Sequence, residues 1–110
     1  MSNVETTPSL LELATRVPPN RILSMRGYLT NQVAIKIKLR LGELQSEDGD
    51  ILFLVDSMGG HARAGIDLNE SFRTSTHRII GKVEGVAASA GFMALQGCTL
   101  RVATPNSSLV

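Results

Sequence analysis

A continuous apolar run at residues 51–55, with the sequence Ile-Leu-Phe-Leu-Val, constrains the fold more than any other feature. A strand that is buried on both faces, as in a parallel sheet, shows such a run in place of alternation. Parallel strands in one sheet must be joined by crossover connections, which are usually helices. The run therefore predicts an α/β domain in which helices cover a parallel sheet.

The segment before this strand, residues 33–44, fits two kinds of secondary structure. Apolar residues alternate with small or basic ones through residues 33–41, which is the period of a strand. Four apolar residues also fall on one helical face: Ala34, Ile37, Leu41 and Leu44. Because the segment must cross between a first strand at residues 21–25 and the strand at 51–55, we predict a helix.

The remaining residues continue the alternation of strands and helices. We predict a helix at 62–72, a strand at 79–86, a helix at 87–96 and further strands at 99–103 and from 108 onward. This order predicts an α/β fold with a mostly parallel sheet of repeated β-α units. Because the prolines at positions 8, 18 and 19 favour irregular structure, we divide the chain into a flexible N-terminal segment, residues 1–20, and one domain, residues 21–110.

Composition argues against several classes of function. The formal net charge is +1 and aromatic residues make up 4% of the chain, so neither charge nor stacking favours binding to nucleic acid. The longest uncharged stretch, residues 85–100, is too short to span a membrane, and the first residues do not resemble a secretory signal. The single cysteine, Cys98, has no partner for an internal disulfide. We expect a cytoplasmic protein without a metal site.

Two strand-to-helix junctions carry candidate functional residues, because chemistry in open α/β sheets gathers at the carboxyl ends of strands. The first, Ser57-Met58-Gly59-Gly60, offers backbone N–H groups at a pair of glycines. The second, residues 87–91, places Ser89 at the start of a helix among small residues. Each junction alone is more typical of an ordinary turn or a helix N-cap. One helix and one strand separate them, which predicts that both lie at the same edge of the sheet.

These two junctions, together with the turn Pro105-Asn106-Ser107, resemble the proteolytic subunit of the Clp protease family. In that family a Ser-Pro-Gly-Gly turn is followed by an Ala-Ala-Ser-Met-Gly segment and then by a Pro-Asn-Ser turn, at the same spacing. The resemblance extends over residues 21–110. It implies a Clp/crotonase-like fold of which the C-terminal part is missing, so that the chain is either part of a longer protein or a shortened gene product.

The resemblance implies a role for each site residue. Ser89 is the nucleophile of a serine peptidase, and the backbone N–H groups of Gly60 and Ala90 form its oxyanion hole. Met58 and Gly59 form the turn beside the substrate strand. Two positions depart from the family pattern: Met58 replaces a proline, which makes the turn less rigid, and Ala90 replaces a methionine, which keeps the backbone donor.

The resemblance also implies partners and a missing base. The family hydrolyses polypeptide substrates inside a homo-oligomeric chamber, and a partner AAA+ unfoldase uses the ATP, so no cofactor is expected to bind here. The general-base histidine is implied just beyond Val110 and the aspartate further on, so we expect the 110-residue chain to be inactive. Of the histidines present, His61 remains a candidate substitute base because it follows the glycine pair, whereas His77 fits a solvated loop.

Other interpretations stay open from the sequence. A non-catalytic structural paralogue in a mixed Clp ring would need no nucleophile, and a crotonase-type acyl-CoA-binding protein would use the two backbone donors without Ser89. A peptidase with a lysine base is a further alternative. Asp56 and Asp67 fit a turn and a helix surface, and Cys98 fits a packed small side chain better than a second nucleophile.

Overall fold

The computed structural model describes residues 9–110, in which strands and helices alternate. The elements in chain order are α1 (Leu10–Arg16), a 3-10 turn (Pro19–Arg21), β1 (Ile22–Leu29), α2 (Asn31–Leu44), β2 (Ile51–Gly60), α3 (Ala62–Arg73), β3 (Ile79–Ala87), α4 (Ala90–Leu95), β4 (Leu100–Ala103) and β5 (Ser108–Leu109). All described strand pairs are parallel, in the order β1-β2-β3-β4, and β5 extends the β4 edge of β3. The predicted α/β fold with a parallel sheet is confirmed.

The core lies on both faces of this sheet, as the apolar run in β2 predicts. Phe53 and Val55 point to one face, where α2, α3 and α4 cover them, and the rings of Phe53 and Phe72 lie 4.6 Å apart. Leu52 points to the opposite face and packs with Ala14 and Val17 from the N-terminal region. Because neighbouring side chains of a strand alternate between faces, an uninterrupted apolar run is what this two-sided burial requires.

Helix α2 confirms the topological argument and explains the strand-like pattern. Thr30 caps the helix by accepting the Val33 N–H at 3.1 Å, and the four predicted core residues of this helix are all buried. The alternation arises because Ile35 and Leu39, which are 54% and 66% exposed, add apolar residues to the outer face. The helix therefore carries apolar residues on two sides.

The N-terminal region differs from the predicted irregular segment. Residues 1–8 lie outside the described residues, but Leu10–Arg16 forms a helix. Ser9 caps it by accepting the Glu12 N–H at 3.1 Å, and Ala14 is buried against β2 and β3. Pro18 and Pro19 follow this helix, where they do not interrupt it. The sequence reasoning gave the prolines too much weight and the capping serine too little.

The two junctions also differ in form from the prediction. The strand predicted at 51–55 does not end before the first junction: β2 continues through Gly60 and pairs Gly59 with Tyr28 and Gly60 with Leu29 of β1. The helix predicted to begin at residue 87 begins at Ala90, because Ala87 still pairs with Ser57. Both junctions nonetheless lie at the carboxyl edge of the sheet, as predicted.

Candidate active site

Ser89 has a backbone conformation that serine rarely adopts. Its φ is 52° and its ψ is −120°, and among residues 9–110 it is the only non-glycine residue with a positive φ. Such a conformation costs on the order of 1–3 kcal/mol, and it persists only where neighbouring contacts impose it. Ser89 thus stands on a strained turn from strand to helix, the kind of geometry that exposes the nucleophilic serine of α/β-hydrolases.

The alternative interpretation, that Ser89 is a simple helix cap, does not describe this geometry. Ser89 occupies the N-cap position of α4, but its side chain accepts no capping hydrogen bond. The residue is exposed to solvent. A capping serine uses its hydroxyl to satisfy an N–H group of the first helical turn, and the Ser89 hydroxyl does not.

Backbone hydrogen bonds hold this strained turn on both sides. The Ala88 N–H donates to the Ser57 carbonyl at 3.0 Å, and the Ser89 N–H donates to the Val110 carbonyl at 3.3 Å. On the helix side, the Gly91 N–H donates to Ala88 at 2.9 Å and the Met93 N–H donates to Ser89 at 3.0 Å. Contacts from β2, from the segment after β5 and from α4 therefore impose the positive φ together.

The Ala90 N–H is a free donor beside Ser89. It is the first N–H of α4, and no acceptor for it is found within residues 9–110. The first N–H groups of a helix have no partner inside the helix. An anionic oxygen next to Ser89 can therefore accept this hydrogen bond, and the alanine side chain, which is fully buried, does not obstruct it.

Gly59 brings the first junction directly against the second. A Cβ added at Gly59 would lie 2.9 Å from both the Ala88 carbonyl oxygen and the Ser89 Cβ, and 3.2 Å from the Ala90 nitrogen. Only a glycine permits this approach, and its φ of 111° requires one as well. Met58, which precedes it, is an exposed residue.

Gly60 packs equally closely against Leu29 of β1. A Cβ added there would collide with the Leu29 carbonyl oxygen, which instead accepts the N–H of His61 at 2.8 Å. The structure therefore brings together the predicted residues Met58, Gly59 and Gly60 with Ser89 and Ala90 at one sheet edge. The roles assigned to these residues remain predictions.

Neither described histidine forms a hydrogen bond with Ser89. The exposed ring of His61 packs edge-on against Tyr28, with ring centroids 5.7 Å apart. His77 lies before β3, whereas Ser89 follows it, so the nine residues of β3 separate them by about 30 Å. His77 is also half-buried, with Nε2 3.1 Å from the Gln45 carbonyl oxygen, and not the solvated residue predicted.

The other titratable candidates have structural environments. Asp56, in β2, accepts the Val86 N–H of β3 at 3.3 Å and lies 3.9 Å from Arg26 of β1. Its carboxylate therefore links neighbouring strands. Burial raises the pKa of the Cys98 thiol to about 12, so this thiol stays protonated at neutral pH and is a poor nucleophile. Within residues 9–110, His, Cys, Asp and Glu side chains form no cluster suited to a metal ion.

The turn Pro105-Asn106-Ser107 has a local function that the sequence reasoning missed. Ser107 Oγ accepts the Gly85 N–H at 3.0 Å and donates to the Val83 carbonyl at 3.0 Å. Gly85 has a φ of 110°, so the turn fixes an irregular point in β3 shortly before Ser89. A serine two residues after a proline could have suggested a hydrogen-bonded turn, but its target lies in a distant part of the sequence.

The fold and the site define an α/β protein whose parallel sheet presents an exposed serine at a strained strand-to-helix turn. The sequence model of the Clp protease family matches residues 6–110. The chain therefore belongs to the Clp protease family.

Solved structures agree with this assignment at the level of the fold. ClpP1 from Listeria monocytogenes superposes with a TM-score of 0.78 and 23% identity, over 83% of this chain and 55% of that one. A point mutant of the same protein gives a TM-score of 0.77 and 24% identity, over 82% and 54% of the two chains. The present chain therefore spans about half the length of these structures.

None of the helices within residues 9–110 combines the length and apolar character that a membrane crossing requires.

Proposed function

We propose that this chain carries the nucleophile and the oxyanion hole of a serine endopeptidase of the Clp type. The observation that supports this most strongly is the conformation of Ser89: an exposed serine with a positive φ that caps nothing, and that lies against Gly59. A structural serine gains nothing from this strain. A nucleophile gains access to its substrate.

In the proposed reaction the Ser89 Oγ attacks the carbonyl carbon of a peptide bond. The hydroxyl proton passes to a base, and the carbonyl oxygen takes the negative charge. The N–H groups of Gly60 and Ala90 then donate to this oxyanion, and each such donor contributes about 2.7–4 kcal/mol in comparable sites. Collapse of the intermediate expels the amine, which receives the proton from the base, and water later hydrolyses the acyl-enzyme.

The base is proposed to be the histidine that the family resemblance implies after the Pro105-Asn106-Ser107 turn. The described histidines do not fit this role: His61 packs on Tyr28, and His77 lies at the far end of β3. A serine hydroxyl without a base is a weak nucleophile. We therefore propose that the 110-residue chain by itself hydrolyses peptides very slowly or not at all.

The assembly and the cellular context are proposed from family membership alone. The substrates are polypeptides, the active form is a homo-oligomeric chamber, and a cytoplasmic AAA+ unfoldase supplies the substrate and uses the ATP. No cofactor takes part in the proposed chemistry, because a serine, a general base and two backbone donors suffice for acyl transfer.

A fluorophosphonate probe tests the nucleophile directly. The Ser89 oxygen attacks phosphorus, fluoride leaves, and the hydroxyl proton goes to solvent, so that a stable phosphonate ester remains. The labelled peptide is identified by mass spectrometry in the wild-type chain and in Ser89→Ala, with the exposed Ser108 as an internal comparison. We expect slow labelling confined to Ser89.

Other outcomes of this experiment separate the alternatives. Fast labelling of Ser89 would refute the proposed inactivity of the chain while keeping the nucleophile. Labelling of Ser89 no faster than of Ser108 would refute the nucleophile and favour a non-catalytic subunit. In that case binding of an acyl-CoA, measured by calorimetry, would identify the crotonase-type alternative.

A further inference from the structure

Ser57 contains a buried hydroxyl that has no role in the reaction described above. Ser57 is only 1% exposed. Within residues 9–110, Ser57 and Arg21 are the two buried polar or charged residues. The Ser57 Oγ lies 2.6 Å from the Gly27 carbonyl oxygen and 3.0 Å from the Gly59 nitrogen. A buried hydroxyl with two such partners is fully satisfied, and removing it takes one hydrogen bond from each of them.

The identities of the partners fix the direction of both hydrogen bonds. A carbonyl oxygen can only accept, and that of Gly27, at 2.6 Å, is much nearer than that of Gly59, at 3.5 Å. Ser57 therefore donates its proton to Gly27, and its oxygen is left to accept the Gly59 N–H. Gly27 has a φ of 80° and stands where β1 shifts its register against β2. The Ser57 hydroxyl therefore joins an irregular point of β1 to the first glycine of the pair in β2.

The same residue also contacts the second junction through its backbone. The Ser57 carbonyl accepts the Ala88 N–H at 3.0 Å, directly before Ser89. Gly59, which the Ser57 hydroxyl holds, is in turn packed against Ser89 and the Ala90 nitrogen. Ser57 is thus bonded to both of the segments whose relative position determines the geometry of the site.

We propose that Ser57 is a positioning residue whose hydroxyl sets the distance between the Gly59-Gly60 pair and Ser89. This inference rests on the proposed function of Ser89 and Gly60. Oxyanion donors are effective only when they are fixed before charge develops, and a displacement of about 1 Å can lower a rate roughly 100-fold. The hydroxyl provides this fixation in a segment where Met58 replaces the rigid proline of the family pattern.

The test compares two variants of Ser57 with a matched control. Ser57→Ala removes both hydrogen bonds, and Ser57→Cys keeps most of the volume but is a weak donor and acceptor. The control is Ser75→Ala: Ser75 is a half-buried serine whose Oγ accepts the His77 N–H and donates to the His77 carbonyl, at the opposite end of the sheet. Urea unfolding establishes that each variant is folded, and Ser57→Cys provides the comparison if Ser57→Ala does not fold.

Two quantities are measured on the full 110-residue chain: the hydrogen-exchange rate of the Gly59 amide, by NMR, and the rate at which a fluorophosphonate labels Ser89. For the Ser57 variants we expect exchange at least about tenfold faster and labelling about 10- to 100-fold slower, while Ser75→Ala changes neither. A wild-type labelling rate in Ser57→Ala or Ser57→Cys would overturn the positioning role alone. Unchanged Gly59 exchange would also overturn it. Absence of labelling in the wild type would refute the proposed function, and the positioning role with it.

Discussion

Gly59 and Ser89 lie so close together that a Cβ added at Gly59 would approach the Ser89 Cβ to 2.9 Å. The two residues belong to different β-α units, and each has a positive φ, 111° for Gly59 and 52° for Ser89. Neither feature is local in origin. Their proximity results from the parallel pairing of β2 with β3, which ends at Ser57 and Ala87.

Replacing Gly59 by alanine is expected to damage both the fold and the site. The added methyl group meets backbone atoms of Ala88 and Ala90, and alanine does not tolerate a φ of 111°. We expect Gly59→Ala to lower the free energy of unfolding by about 1–3 kcal/mol and to slow labelling of Ser89 by a fluorophosphonate. Urea denaturation and mass spectrometry measure the two effects.

Gly42→Ala is the matched control for this substitution. Gly42 lies within α2, and an added Cβ meets no atom within 4 Å. Alanine there should raise the free energy of unfolding by about 0.5–1 kcal/mol without affecting labelling. If Gly59→Ala changed the free energy of unfolding and the labelling of Ser89 no more than Gly42→Ala does, the close contact between the two junctions would be refuted.

The strain at Ser89 predicts an inverted preference between alanine and glycine. Ser89→Ala keeps the cost of a positive φ, whereas Ser89→Gly removes it, so the glycine variant should be about 1 kcal/mol more stable. Ser71, in the last turn of α3, provides the comparison, because in a helix alanine is favoured over glycine by up to about 1 kcal/mol. The free energies of unfolding of the four variants are compared in urea. The same sign at both positions would mean that Ser89 is not strained.

Sequence reasoning succeeded where a pattern has one physical explanation. The apolar run in β2 requires burial on two faces, and topology decided in favour of a helix at α2 against its own alternating pattern. The pairing of the two junctions followed from the order of strands and helices. The order of elements alone, with no interatomic distances, predicts that Gly60 and Ser89 lie at the same edge of the sheet.

Features set by distant contacts could not be predicted. The φ of Ser89 depends on Ser57 and Val110, and the extension of β2 to Gly60 depends on its pairing with Leu29. The half-burial of His77 depends on Gln45, in a different helix-loop region. In each case the conformation or burial of the residue is set by residues distant in the sequence. The neighbouring residues in the sequence therefore do not predict it.

Arg21 is predicted to stabilise the fold more than any surface cation. Its buried guanidinium donates to the Leu44 carbonyl from two nitrogens at 3.3 Å, to Gly49 at 2.8 Å and to Asp50 at 3.1 Å. These bonds fasten the end of α2 to the start of β2. Because Arg21→Met removes all of these hydrogen bonds, including those to the carbonyl of the buried Leu44, we expect it to lower the free energy of unfolding by about 2–4 kcal/mol.

Arg40 provides the control for charge and size. It is exposed and donates to the Asn20 carbonyl at 2.8 Å, beside Glu43 at 3.7 Å. Because exposed ion pairs contribute little, Arg40→Met should change the free energy of unfolding by about 1 kcal/mol or less. Equal losses for the two variants in urea denaturation would contradict the structural role assigned to Arg21.

Cys98 predicts a loss of stability in alkaline solution. Burial raises the pKa of its thiol from 9.0 to about 12 in the folded protein, so between these values the unfolded chain releases a proton that the folded chain retains. The unfolded state is then favoured as pH rises, and the stability lost approaches about 1.4 kcal/mol per pH unit within this window. Well below pH 9 the thiol is protonated in both states and contributes no pH dependence.

Cys98→Ala isolates this contribution, because alanine does not titrate. Its absolute stability is lower at neutral pH, since the sulfur packs against Gly81 and the variant leaves a cavity there. The decisive quantity is therefore the slope: between pH 9 and pH 10 the free energy of unfolding, from urea denaturation, should fall more steeply in the wild type than in Cys98→Ala. Equal slopes would show that the thiol ionises as readily in the folded protein as in the unfolded chain, which is incompatible with its burial between β3 and the end of α4.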